Sequence, residues 1–543
     1  MGNLAYLSPE WGEEAKTRLE KALTSENMHH VTSSMSNIYQ NTPDGKERYL
    51  FIAFDDGKVS RFEVGEGEPP AAEFKIIADY DTFGQISRGE LGAVRALTSR
   101  KLTLRGNMAK AMRLAPRVDR MNKVLASIPT DYWREMIRMS PDNDTLYGVD
   151  VKKRINDIQA MMRERDLDVY LGSRIRTMSF IVDAFVPWRS YLVIPAEGLP
   201  TVFTFVIDAN RLLSETWMDE DHVRGYFGAG GADQIDAITY FIDDELGIKK
   251  GRLGYETGMA TYTAEGWMTH YEYLKFSEAL PDLEFVNSHD IVDKASLIKD
   301  EGTINRFREA GRIVDEGQKA ARAAIENGGW KGMTETELGG IAALAMRRAG
   351  SVSEWNFAGL NEISSGWRTG LGACTPPTTK EFAAGEPLMF DLHGMFKLAL
   401  GDHSHNYLLS PTTERLRWHA DNFVACVQFV ADSYKAGATP GNLITALGEF
   451  AEDRGCSDFI LPGVEHGIGL FGDEWRVGAS MDVPIPYWTD PEHLYQENEM
   501  VILAMQYAAP EDDVGFRYEN PIVINKDGCE LTSKYPLAIE EIE

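Results

Sequence analysis

LMFDLHGMFKLALGDHSHNY, residues 388–407, is the stretch on which the reading of this chain turns. The run from Leu388 to Asp391 is apolar and ends in a carboxylate, and Asp391 and Asp402 stand eleven residues apart. A short strand, a tight turn at Gly394 and a return strand set the two carboxylates side by side. Adjacent carboxylates repel, and a positive charge between them relieves the repulsion. A divalent metal is one candidate for that charge. A plain β-hairpin with two solvated aspartates is the other, and these residues alone leave both open.

Working outward, the 543 residues exceed one hydrophobic core and suggest three domains. A hydrophobic content of 43 % and a charged content of 26 % are ordinary for a globular protein. The net charge of −29 argues against nucleic acid or anionic membrane surfaces as partners, because both need a basic footprint. Cys374, Cys426, Cys456 and Cys529 show no CxxC spacing and read as reduced thiols of a cytoplasmic protein. The opening MGNLAYLSPEWGEEAK has no basic segment followed by an apolar core, so no signal peptide is expected. No run of about 18 apolar residues marks a membrane span.

At the N-terminal end, Ser8-Pro9 cap an amphipathic helix. Strand-like segments follow at 33–41, 48–65 and 72–80, with Asp56-Gly57 as a hairpin signal. Helical patterns at 81–97 and 107–127 flank the short strand KLTLRG at 101–106. The run DYDTFGQISRGELGAVRALTSRKLTLRGNMAKAMRLAP, 79–116, resembles the sterol-carrier-protein-2-like lipid-transfer domain, and the likeness covers residues 1–130. That family encloses an apolar tunnel under its sheet. The resemblance implies a lipid or other apolar ligand, with Met108, Met112, Leu114, Met121 and Leu125 as candidate lining or as plain core.

Residues 131–149 read as a polar connector. Residues 150–298 alternate helical and strand patterns and read as an α/β domain. KASLIKDEGTINRFREAGRIVDEGQKAARAAI, 294–325, opens the last domain, 299–543, and resembles the linker of the creatinase/aminopeptidase P superfamily. The resemblance implies an α+β and α/β multidomain protein: a sterol-carrier-like domain, a creatinase-type N-terminal domain and a pita-bread catalytic domain of two α-α-β-β halves. It also implies a homodimer.

With that superfamily in view, Asp391 and Asp402 match its first two metal carboxylates. VEHGIGL, 464–470, matches the histidine motif and implies His466 as a ligand; RYENPIVI, 517–524, implies Glu519 as the last carboxylate. The resemblance thus implies one divalent metal ion (iron, manganese, zinc or cobalt), or none, as in the metal-free creatinase branch. Mixed imidazole and carboxylate ligation suits those metals better than calcium. The departures carry as much information. In EMVILAMQYAAP, Met505 falls where the superfamily has a further Glu ligand, and a thioether is a poor ligand for a hard ion. His393, two residues after Asp391, is either a compensating ligand or a turn residue. The loop EISSGWRTGLGACTPPTT, 362–379, has no histidine, and LFGDEWR, 470–476, has Asp473 in place of a second one, with Glu474 retained. These absences point away from ordinary Xaa-Pro aminopeptidase activity.

The expected activity is therefore that of a hydrolase or lyase cleaving a C–N or C–S bond in a small polar or zwitterionic substrate. Glu474, His393 and Arg368 are the candidate catalytic residues, with Arg368 holding a substrate carboxylate or making a surface ion pair. Trp355, Trp367, Trp475 and Tyr507 lie beside the motifs and suit a quaternary ammonium or sulfonium group, or belong to the core. Arg174, Arg176 and Arg189 are candidates to reach a neighbouring subunit's site by analogy of fold. A reading of another class is a non-catalytic, lipid-binding or interaction protein with a degenerate pita-bread domain.

Overall fold

The computed structural model describes residues 4–42, 47–87, 91, 96–97, 101–131, 146–226, 232–258, 266–352, 361–370, 375–461, 463–470, 472–474 and 491–543. The chain forms two compact units, residues 1–137 and 138–543.

The first unit is built on a five-stranded sheet whose order is Lys58–Glu66, Arg48–Asp55, Ser33–Gln40, Phe74–Asp79, Leu102–Arg105. Asp56 and Gly57 have φ of 48° and 79°, and Asp55 pairs with Lys58, so the Asp-Gly hairpin signal forms a two-residue turn. Ser8 caps the helix Pro9–Ala22 by accepting from the Trp11 N–H at 3.1 Å. Between the sheet and the helix Met108–Ala126 lies an apolar cavity of about 90 Å³. Met35, Phe54, Phe74, Leu104, Leu114 and Met121 are among its lining residues. Two of the tunnel candidates are thus lining residues. Leu125 packs into the core, Met108 is 47 % exposed, and the Met112 side chain lies outside the described residues.

In the second unit a six-stranded mixed sheet spans Val169–Gly172 to Leu283–Asn287. Arg174 and Arg176 pair there with Asp293, and Arg189 with Glu272. Each of these three arginines thus has an ion-pair partner within its own unit.

After this sheet come helices α1 (Glu301–Ile325) and α2 (Glu335–Ala349) and strands β1 (Glu362–Ser365), β2 (Pro387–Phe396) and β3 (Ala399–Leu409). The order then recurs: helices α3 (Glu414–Ser433) and α4 (Pro440–Asp453), and strands β4 (Glu465–Gly469), β5 (Gly472–Glu474), β6 (Met500–Ala509) and β7 (Val514–Ile524). Short strands β8 (Cys529–Leu531) and β9 (Ile539–Ile542) finish two sheets of order β1-β2-β3-β9 and β5-β4-β6-β7-β8.

The hairpin β2–β3 is longer than its sequence suggests. Phe396 pairs with Ala399, and the turn is Lys397-Leu398 with φ of 45° and 70°. Gly394, expected at the turn, instead sits within the strand opposite Gly401. The glycines are needed there because α1 crosses closely: a Cβ on Gly401 would meet the Ala310 carbonyl oxygen at 2.4 Å. Alternation along β2 separates two environments. Leu388, Phe390 and Leu392 pack with Ile313 and Val314 of α1 in one cluster, and Asp391 and His393 point to the opposite face.

Among the described residues no helix is long and apolar enough to cross a membrane.

Candidate metal centre

Cross-strand pairing assembles the site. Asp391 lies opposite Ser404, and His393 opposite Asp402. Directly paired residues share a face, so these four side chains converge although they come from two strands. Backbone bonding tightens the strand, with His393 N–H donating to Asn361 Oδ1 at 2.9 Å. The second sheet contributes Arg517 and Glu519 from β7 and His466 from β4. Asn406 joins the sheets, donating to the Arg517 carbonyl at 2.7 Å and accepting from the Arg517 N–H at 3.3 Å.

All of these groups are buried. His393 Nε2 is 3.4 Å from Asp402 Oδ1 and 3.9 Å from Asp391 Oδ2. Ser404 Oγ lies 2.9 Å from Asp391 Oδ1 and 3.3 Å from Glu519 Oε2, a single hydroxyl serving one carboxylate at a time. His466 Nε2 is 3.5 Å from Glu519 Oε1. Arg517 pairs with Glu519 and brings Nε to 3.4 Å from Asp391 Oδ2.

Ligand atoms of Asp391, His393 and Asp402 all lie within 4.8 Å of one another. Asp391 Oδ2 and Asp402 Oδ1 accept no hydrogen bond among the described residues, though both are buried. Buried polar atoms left in that state are costly, and a cation between them removes the cost. Two carboxylate oxygens and an imidazole nitrogen are also the donor set that divalent transition ions accept. The residues present therefore fit a metal, with His393 in the cluster rather than in a turn.

The charges of the metal-free cluster follow. Burial, then the charge of Glu519, pushes the Asp391 carboxyl well above its usual range. Burial alone would lower His393, but Asp391 and Asp402 outweigh it and raise the imidazole to about 10. Burial also opposes charge on Glu519, yet Arg517 and His466 prevail and hold that carboxyl well below its ordinary value. A group raised above its unfolded value stabilises fully below the unfolded pKa and loses that contribution as pH rises through the folded one. Asp391 and His393 act in the same direction. Chelator-treated protein is therefore expected to lose thermal stability from about pH 6.5 to about pH 10, and His393→Gln to flatten that dependence. Melting scans across this range check it; stability that stays level or rises with pH contradicts it.

The register also moves one expectation. Met505 pairs with Tyr518, and Ala504 with Glu519. Met505 thus lies on the far face of the sheet from Glu519, in the core cluster with Val501, Leu503 and Tyr518. The residue beside Arg517 on the site face is Gln506. On this register Gln506, and not Met505, is the residue of the strand that shares the face of Arg517 and Glu519. Met505→Leu, a volume-conserving change, is expected to leave metal content unchanged and to destabilise by less than about 1.5 kcal/mol. Metal analysis and a denaturant titration test both halves.

Tyr507 follows the same logic. It shares the core face with Met505, its Oη 2.6 Å from His419 Nδ1, and does not face the cluster. Arg368 is engaged by the buried Glu335, with its Nε 3.2 Å from Oε1, and donates to the Pro376 carbonyl at 2.8 Å. Glu335 also accepts from Ser365 and Thr378, so Arg368 completes a structural anion site instead of awaiting a substrate carboxylate. Trp367 is 66 % exposed on the turn Gly366–Thr369. Glu474 pairs through its backbone with Gly467, next to His466; its side chain lies outside the described residues, as do Trp355 and Trp475.

Four residues escaped the sequence reading: Asn361, Glu362, Ser404 and Arg517. Arg517 had a signal, since it stands two residues before Glu519 and so shares its face of a strand. Glu362 had none in its own neighbourhood; its place depends on pairing with Asp391.

Residues 305–526 match the model of metallopeptidase family M24, and residues 18–119 that of the SCP-2 sterol transfer family. An ectoine hydrolase of Halomonas elongata is 22 % identical over 411 residues, covering 70 % of this chain and 95 % of the relative. A Xaa-Pro dipeptidase of Pyrococcus furiosus is 22 % identical over 274 residues, covering 50 % and 74 %. The solved Xaa-Pro dipeptidase from Bacillus anthracis aligns with a TM-score of 0.59 at 18 % identity, over 72 % of this chain and all of that one. At such identities the solved structure shares the fold.

Proposed function

We propose that this chain, in which an SCP-2 sterol transfer domain precedes a metallopeptidase family M24 domain, is a metal-dependent hydrolase that cleaves a C–N bond in a small polar or zwitterionic substrate. The observation that carries the reading is the convergence of Asp391, His393 and Asp402 on one buried point. Hydrolysis is preferred to elimination because the named relatives, an ectoine hydrolase and dipeptidases, are hydrolases. The absence of a histidine from the loop 362–379 and Asp473 at the second histidine position keep ordinary Xaa-Pro substrates in second place.

In this reading Asp391, His393 and Asp402 hold the ion, with His466 and Glu519 beside them. A divalent ion held there would supply Lewis-acid polarisation of the scissile group and a lowered pKa for water at neutral pH. Arg517 and His466 keep Glu519 charged, so Glu519 orients a polar hydrogen by accepting its hydrogen bond and does not take the proton. Glu474, on the strand paired to that of His466, is the candidate proton carrier.

One observation favours a second reading. With His393 raised to about 10, an imidazolium between Asp391 and Asp402 supplies positive charge without a metal, as a metal-free amidinohydrolase requires. Elemental analysis of the purified protein, followed by a substrate panel of ectoine, Xaa-Pro dipeptides and a sulfonium betaine, separates the readings. Near-stoichiometric metal and turnover of a cyclic or zwitterionic C–N substrate support the first. Turnover that survives chelation supports the second.

The cavity of the first unit gives the N-terminal domain its own proposed role, the holding of an apolar chain. Delipidated protein is expected to take up a fluorescent fatty acid, and Ala115→Phe, which fills the cavity, to weaken uptake by about 10-fold. Equal uptake by both proteins argues that the cavity is only imperfect packing.

A further inference from the structure

Where the helix Val151–Glu164 meets the start of α1, the second unit holds a cavity of about 240 Å³. The α/β domain supplies most of its wall, α1 and its cap supply Thr303 and Asp300, and Leu470 closes it from the end of β4. None of Asp391, His393, Asp402, His466 or Glu519 lines it. A strand rises about 3.3 Å per residue, so Leu470 stands about 13 Å along the chain from His466. The cavity is therefore separate from the metal centre.

Its charge departs from that of the chain. The protein carries 55 Lys and Arg against 84 Asp and Glu. The cavity reverses that balance: Lys153, Arg154, Arg176, Lys294 and Lys299 line it, against Asp150, Asp157 and Asp300. Depth separates the signs further, since Arg154, Arg176 and Lys299 are buried and the three carboxylates are half-buried or exposed. Each cation also has a protein partner. Lys153 pairs with Asp157, Arg154 with Asp300, and Lys299 Nζ donates to the Ser296 carbonyl at 2.6 Å. Arg176 pairs with Asp293 and Lys294 with Asp290, and neither of those carboxylates lines the cavity. Two positive groups thus line the space with their counter-ions outside its wall. An ammonium has three N–H donors and a guanidinium five, so such a cation keeps its protein partner and still receives a ligand oxygen.

A concave, low-dielectric wall dominated by one sign of charge concentrates ions of the other sign. Met161, Phe180, Ile298 and Leu470 make the remainder of the wall apolar. We propose that this cavity binds a small organic anion, a monocarboxylate with a short aliphatic chain, its carboxylate held by the lining cations and its chain laid against the apolar wall. A carboxylate meeting a cation makes a charge-assisted hydrogen bond, about twice as strong as a neutral one. The assignment does not depend on what the metal centre does.

The test titrates butyrate, its neutral isostere butyramide and inorganic phosphate into the purified full-length protein, by calorimetry. Wild type is expected to bind butyrate at least about 10-fold more tightly than either of the others. Lys299→Met, which removes a buried charge at similar length, is expected to weaken butyrate by about 10-fold. Lys294→Glu, at a largely exposed side chain, reads the same charge where folding is not at stake, and is expected to weaken butyrate by at least about 3-fold. Equal binding of butyrate and butyramide, or binding of neither, overturns the proposal. So does butyrate binding that both variants leave unchanged, which places the anion elsewhere, the metal centre included. Phosphate bound as tightly as butyrate overturns the organic ligand.

Discussion

Asp402→Ala is expected to bring the metal content of the purified protein from about one equivalent to background and to abolish turnover. Asp402 is buried, and its Oδ1 lies 3.4 Å from His393 Nε2 while accepting no hydrogen bond among the described residues. Its removal leaves Asp391 and His393 as the only members of the cluster. Changing a partner that merely orients a ligand weakens metal binding by about 10- to 100-fold, so loss of a ligand should exceed about 100-fold in affinity and at least match it in activity. Stability should fall as well in the metal-free protein. Asp402 helps to hold the His393 imidazolium, so the metal-free variant is expected to melt below metal-free wild type at neutral pH and to show a weaker loss of stability between about pH 6.5 and about pH 10. Asp402→Asn separates charge from volume and should lose metal nearly as fully. A full equivalent of tightly held metal in either variant would remove Asp402 from the site.

Arg306→Ala is expected to destabilise the second unit by about 3–5 kcal/mol, the range for breaking one side of a buried ion pair. Arg306 lies on α1 and clasps Asp183 with two hydrogen bonds of 2.6 and 2.9 Å, both side chains being almost wholly buried. It also donates to the Tyr147 carbonyl at 2.9 Å and to that of Lys397 at 3.4 Å. One guanidinium thus ties the six-stranded sheet's surroundings to the turn of the β2–β3 hairpin. Alanine leaves the Asp183 carboxylate buried without its cation. The double variant Arg306→Ala/Asp183→Asn should recover part of the loss, because the stranded charge goes with its partner. Denaturant midpoints of the single and double variants decide it, and a single variant within about 0.5 kcal/mol of wild type would mean that the pair is solvated in solution. Because Lys397 closes the metal hairpin, metal affinity should fall with stability in the single variant.

Part of this site was legible from residue types. Asp391 and Asp402 announce themselves as carboxylates in a strand that is otherwise apolar, and His466 and Glu519 fall in motifs that read without coordinates. Met505 shows where that reading fails. Counting along a strand assigns a position, but a shift of one residue exchanges the faces of a sheet, and local sequence has no ruler for the register. Only the pairing of β6 with β7 places Gln506 beside Arg517 and Met505 in the core. Arg368 and Tyr507, left open between site and scaffold by the sequence, could not be placed for a related reason. Both are polar groups near a motif, and each is engaged by a partner distant in sequence, Glu335 and His419.

The sequence by itself determined the domain types, the alternation that puts carboxylates on one face of β2 and leucines on the other, and Asp391 and Asp402 as paired carboxylates. The tertiary structure decided which side chains meet there: His393 with Asp391 and Asp402, Ser404 and Arg517 beside them, and Glu362 in register opposite Asp391. The physical reason is that alternation is a property of a single strand, set by the backbone's two-residue repeat. Register belongs to a pair of strands. It is set by hydrogen bonds and packing between segments far apart in the chain, here by α1 pressed against Gly394 and Gly401.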